Sequence, residues 1–80
     1  MITAANYIDN YKIHFDFSDR KPVDFDFEPF LKSNKNKMNT QFLSLELFQK
    51  FTVSNGIISW DGPNGEMDFD QEHLAYINPE

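Results

Sequence analysis

The chain has 80 residues, no cysteine, 13 acidic against seven basic side chains, a formal net charge of −6, and nine Phe, three Tyr and one Trp. That length fits one domain spanning residues 1–80, and the lack of thiols excludes disulfides, thiolate catalysis and zinc–thiolate sites together. The negative charge opposes direct binding to nucleic acid, where Lys and Arg on phosphates supply most of the affinity, and opposes binding to anionic membrane surfaces.

In chain order, residues 5–8 and 11–17 flank Asp9-Asn10, two residues that tolerate positive φ, and predict a hairpin. Tyr11, Ile13, Phe15 and Phe17 alternate with Lys12, His14 and Asp16, the period of a strand with one buried and one wet face. After the turn at residues 18–21, Val23, Phe25 and Phe27 alternate with Asp24, Asp26 and Glu28. Three such strands with short connections make an antiparallel meander, and Pro22 suits the start of an edge strand. Residues 28–32 read as one helical turn entered at Pro29. Residues 33–39 are Asn- and Lys-rich without periodicity and read as a mobile loop. Ser44 is the expected cap of a short helix over 45–50. Asn55-Gly56 between two β-rich runs predicts a type I′ hairpin joining 51–53 to 57–60. Residues 61–65 form a turn cluster, 66–70 a brief strand, and Asp70 caps a last helical turn over 71–76. Residues 78–80 read as a tail.

The expected class is α+β: a small antiparallel sheet, built from the N-terminal meander and a C-terminal hairpin, packed with one or two short helices. The expected core is Ile13, Phe15, Phe25, Phe27, Leu31, Phe42, Leu45, Phe48, Val53, Ile58, Trp60, Met67 and Leu74. Aromatic rings bury about 150–250 Å² each, which offsets the thin stability margin of so short a chain.

Three features together resemble a known family. They are a meander ending in the run DFDFEPFL (24–31), a short helix with Leu43, Leu47 and Phe48 leading into a strand, and a strand ending in Trp60 followed by Pro63-Asn64-Gly65, Asp68, Leu74 and Tyr76. The chain resembles domain of unknown function 2442, small bacterial α+β proteins. Further matching positions are Tyr11, Phe15, Asp19, Asp24, Leu31, Phe42, Leu45, Val53, Gly56 and Ile58. The chain departs from the usual pattern at Asp61-Gly62, inserted between Trp60 and the turn, and in its Asn/Lys-rich loop. The resemblance implies a nitrite-reductase-domain-like fold and a gene neighbour encoding a second small protein, in pairs that look like toxin–antitoxin modules. It supplies no catalytic residues.

Asp16, Asp24, Asp26 and Glu28 fall on the polar positions of adjacent strands. A docking surface for a small basic partner is one reading; the ordinary wet face of a sheet, with Lys12 and Lys21 offsetting repulsion, is the other. A metal is not expected there, since calcium wants six to eight oxygens from a shaped loop. Residues 61–72 fail the EF-hand spacing, with Pro63 third and Glu66 sixth. His14 and His73 read as solvated, and the serines have turn, cap or strand roles, so no catalytic set and no cofactor site is expected. Trp60 reads as a core anchor, while Tyr7, Tyr11 and Tyr76 are candidates for a partly exposed aromatic contact patch. No apolar run approaches the ~18 residues of a membrane span, and Met1-Ile2-Thr3-Ala4 lacks a secretion signal's basic region and apolar core. A cytoplasmic protein-interaction module without enzymatic activity is the leading expectation, with contacts through Asp16, Asp24, Asp26, Glu28, Tyr7 and Tyr11. A self-associating structural domain using a free sheet edge and a small-ligand domain are the alternatives.

Overall fold

The computed structural model describes residues 1–33 and 36–77. The expected tail at 78–80 and positions 34–35 of the expected loop lie outside the described residues. Strands β1 (Ile2–Asp9), β2 (Lys12–Phe17) and β3 (Val23–Asp26) lead into helices α1 (Glu28–Ser33) and α2 (Lys37–Thr40). A 3₁₀ turn (Gln41–Leu43) and α3 (Leu45–Phe48) follow, then β4 (Phe51–Ser54), β5 (Ile57–Gly62), β6 (Gly65–Phe69) and α4 (Gln71–Ile77). The strands form two three-stranded antiparallel sheets, ordered β1-β2-β3 and β4-β5-β6. The fold is α+β as the patterning implied. The expected C-terminal hairpin is the first part of a second meander, completed by β6.

The period-two alternation works in both sheets as a burial code. Ile13 and Phe15 of β2 pair with Phe25 and Val23 of β3, and Ile13, Phe15 and Phe25 are buried. In the second sheet Ile58 pairs with Phe69 and Trp60 with Met67, and all four are buried. Trp60 joins the two halves. Its ring lies 5.3 Å from Phe27 beyond β3, 5.6 Å from Phe48 of α3 and 6.1 Å from Phe69 of β6, measured between centroids. Its indole Nε1 donates to the Phe48 carbonyl at 2.7 Å. A buried donor needs such a partner, because leaving it unmade costs about 1–3 kcal/mol.

Several expectations are corrected. Leu45 is exposed and Val53 half-buried, whereas Ile2 and Phe69 join the core. A four-residue helix buries one face, and Phe48 occupies it, so Leu45 at the helix start is left outside. β1 begins at Ile2 rather than residue 5, and an irregularity between Ile2 and Ala4 changes its register against β2. The first hairpin turns at Asn10-Tyr11, one residue later than expected, because Asp9 still pairs with Lys12; Asn10 takes φ 45°. Residues 37–39, placed in a loop by composition, belong to a helical turn (Lys37–Thr40) nucleated by Asn36, whose side chain accepts the Met38 N–H at 2.9 Å. Ser44 sits at the expected cap of α3, but its hydroxyl makes no capping bond.

Two turns are held in place by specific chemistry. Asn55 (φ 53°) and Gly56 (φ 79°) both take the left-handed region that the β4–β5 turn requires. Gln41 clamps the β5–β6 turn: its Nε2 donates to the Gly65 carbonyl at 3.1 Å and its Oε1 accepts the Asn64 N–H at 3.0 Å. A Cβ at Gly62 would overlap the Gln41 amide. Asp61 and Gly62 extend the β5–β6 ladder, with Asp61 opposite Glu66 and Gly62 opposite Gly65.

Candidate functional site

The outward positions of the first sheet gather its charges. β2 presents Lys12, His14 and Asp16 in alternate positions, and β3 presents Asp24 opposite His14 and Asp26 opposite Lys12. His14 bridges two of the carboxylates: Nδ1 lies 2.7 Å from Asp24 Oδ1 and Nε2 lies 3.3 Å from Asp16 Oδ1. The Asp24 hydrogen bond holds the imidazolium above its ordinary pKa; desolvation works against it and the Asp16 carboxylate adds to it. Asp26 Oδ1 accepts the Glu28 N–H at 3.0 Å and so opens α1. The Glu28 carboxylate meets Lys32 Nζ at 2.7 Å one turn along, an i,i+4 pair with Glu on the favourable N-terminal side. Asp16, Asp24, Asp26 and Glu28 thus lie along one continuous tract of surface, with Asp24 and Asp26 exposed.

Tyr7 and Tyr11 lie apart from that tract. Both are half-buried and pack edge-on against Phe48, with centroids 6.3 and 5.4 Å away. Tyr7 pairs across the ladder with fully buried Ile13, and its hydroxyl donates to the Asn10 carbonyl. The Tyr11 hydroxyl donates to the Leu43 carbonyl. The exposed tyrosine is Tyr76 on α4, 86% accessible.

A second acidic face was overlooked in the sequence. Asp61 pairs with Glu66 and Ser59 with Asp68 on the outward side of the second sheet, and Asp61, Glu66 and Asp68 are exposed. The signal was present, since these residues alternate with Trp60, Met67 and Phe69. Like charges directly opposite each other, as at Asp61 and Glu66, destabilise a ladder. His73 does not approach His14: its Nδ1 bonds Asp70 at 3.0 Å. Asp70 also accepts the His73 N–H at 2.8 Å. That backbone bond holds Asp70 below its ordinary pKa; desolvation opposes it and the imidazole adds to it. Among the described residues, no group of three or more His, Cys, Asp or Glu is arranged to hold a metal ion.

Hollows border α4. A groove of about 130 Å³ between the inner side of β2–β3 and α4 is lined by Phe15, Phe17, Val23, Phe25, Leu74 and Ala75, with Arg20 and Gln71 at its polar side. Arg20 lies 6.0 Å from the Phe17 ring. Gln71 Oε1 is buried without a partner. Small-molecule sites typically occupy about 300–1,000 Å³, so this groove accommodates a side chain rather than a metabolite. The neighbouring hollow, about 540 Å³, is a broad depression bordered by Asp19, Arg20, Asp70 and Glu72. Among the described residues, no helix is long and apolar enough to cross a membrane.

A family model described as "Protein of unknown function (DUF2442)" matches residues 2–80. No curated protein and no solved structure matches the chain. The chain belongs to that family, in keeping with the residue pattern that first pointed to it.

Proposed function

We propose that this protein is a non-enzymatic interaction module, the acidic member of a two-protein pair, working in a reducing cytoplasm. The observation that carries the reading is the tract Asp16–Asp24–Asp26–Glu28. Its carboxylates lie on adjacent rigid elements of a chain whose net charge is −6. Lys12 and His14 stand among these carboxylates and Lys32 pairs with Glu28, and the negative charge left in excess steers an oppositely charged protein and discriminates against others. The partner that fits is a small basic protein, and the toxin–antitoxin-like pairing implied by the family resemblance gives that partner a role.

Tagged protein captured from lysate of its native host at low and then moderate salt tests this. One small basic protein, retained at low salt, released as salt rises and lost with the quadruple variant Asp16→Asn/Asp24→Asn/Asp26→Asn/Glu28→Gln, is the expected result. A folded bait that retains nothing, or a partner indifferent to the quadruple variant, would remove the reading. Self-association is a second reading, because β3 ends its sheet with an open edge. Sedimentation showing a monomer at every concentration would eliminate it.

A further inference from the structure

The geometry of β3 points to how a partner is taken up: we infer that its outer edge accepts an extended segment as a fourth strand, one in which Lys or Arg alternates with apolar residues. The inference rests on the acidic-partner reading above and names the recognition mode. β3 is the terminal strand of its sheet. Its register against β2 runs without interruption from Phe15↔Val23 to Lys12↔Asp26, and the Phe27 N–H donates to the Tyr11 carbonyl at 2.9 Å. Hydrogen-bonded pairs alternate along an antiparallel ladder. Val23, Phe25 and Phe27 therefore direct their amides and carbonyls toward β2. Asp24 and Asp26 direct theirs outward, to the open edge. Main-chain bonds from such an edge give affinity, and the side chains on its two faces give specificity.

The two faces beside this edge differ sharply. On the outer face stand the Asp24 and Asp26 carboxylates, both exposed. On the inner face lies the 130 Å³ apolar groove lined by Phe15, Phe17, Val23, Phe25 and Leu74, and Val23 itself is 41% exposed. A strand laid along β3 places its residues alternately on these faces. Cationic side chains meet Asp24 and Asp26, and a branched aliphatic side chain between them enters the groove. A second copy of β3 is the poorer occupant, since it would bring Asp24 and Asp26 against their own counterparts, and like charges facing each other across a ladder are repulsive.

The probe is the capped peptide acetyl-Lys-Val-Lys-Val-Lys-amide, compared with acetyl-Glu-Val-Glu-Val-Glu-amide and the non-alternating acetyl-Lys-Lys-Lys-Val-Val-amide. Binding to isotopically labelled full-length protein is followed at each backbone amide. The alternating cationic peptide is expected to shift the Asp24 and Asp26 amides and to slow their hydrogen exchange. In Asp24→Lys/Asp26→Lys the preference should move toward the Glu peptide by about tenfold, as when two cross-strand pairs turn from attractive to repulsive. Cationic peptides that shift His14 and Asp16 alone, or that bind equally with and without alternation, would overturn strand addition and leave the acidic-face reading standing. Absence of binding by either cationic peptide would overturn both. Protection of the same amides by rising protein concentration alone would assign the edge to a second copy and overturn the inference.

Discussion

His14 is held between Asp24 and Asp16, and its raised pKa fixes the sign of a pH effect. A group whose folded pKa exceeds its unfolded value stabilises fully below the unfolded value and loses that contribution as pH rises through the folded one. Urea midpoints should therefore fall from about pH 5.5 to about pH 8, either side of the ordinary histidine range, by more in wild type than in His14→Gln. Equal pH dependence in the two proteins would show that the bridge contributes nothing. Asp70 has the opposite sign: the bonds it accepts from His73 are lost as pH falls through its lowered value, so Asp70→Ala should lower the melting temperature at neutral pH and flatten its decline in acid. Trp60 gives the largest single-residue effect. Trp60→Ala should cost about 3–5 kcal/mol in chemical denaturation. Trp60→Phe should retain most of the packing but lose about 1–3 kcal/mol, because the Phe48 carbonyl is left without its donor. Trp60 was legible as a core anchor from Ile57-Ile58-Ser59-Trp60, but its hydrogen bond to Phe48 was not. That bond depends on the path of the chain between two elements, which no local pattern records. The same holds for the Tyr11 hydroxyl, whose acceptor Leu43 lies 32 residues away.

At the scale of elements, strands were readable because each has one buried and one wet face, and period two records that directly. β2 and β3 sit where alternation placed them, and β5 where the Asn55-Gly56 turn placed it, within a residue or two. Short helices were harder to read. α2 has no buried residue, so its four residues carry no apolar period, and the Asn36 side chain that starts it resembles any loop asparagine. The Gln41 clamp was invisible for a related reason, since it acts on a turn more than twenty residues away. Gln41→Ala should destabilise by about 1–2 kcal/mol through the lost bonds. It should also speed hydrogen exchange at Asn64 more than at Asn55, a contrast that separates turn loosening from general destabilisation. The Asn55-Gly56 turn was legible because two successive positive φ angles have few sequence solutions. Gly56→Ala combines left-handed strain with crowding against Met1 and should lower the thermal midpoint while leaving the β5–β6 ladder protected.

At the scale of the molecule, the two sheets share one aromatic core, and charge is consigned to their outer faces. The acidic residues of the candidate site were visible as the polar half of each alternating strand, and so were Asp61, Glu66 and Asp68 once that rule is applied to the second sheet. Tyr7, Tyr11 and Tyr76, the tyrosines expected to be partly exposed, all keep accessible surface, and Tyr76 keeps the most. Tyr7 and Tyr11 turn inward onto Phe48, because the first hairpin closes at Asn10-Tyr11 and α3 packs beneath it, while Tyr76 on α4 points out. The proposed recognition surface is the carboxylate tract of the first sheet. The most direct measurement is parallel affinity capture from native-host lysate with wild-type protein and with the folded quadruple variant Asp16→Asn/Asp24→Asn/Asp26→Asn/Glu28→Gln, across rising salt. Recognition through the acidic tract predicts one small basic protein on wild type that elutes with salt and is missing from the variant. The same partner on both proteins, or none on either, would contradict it.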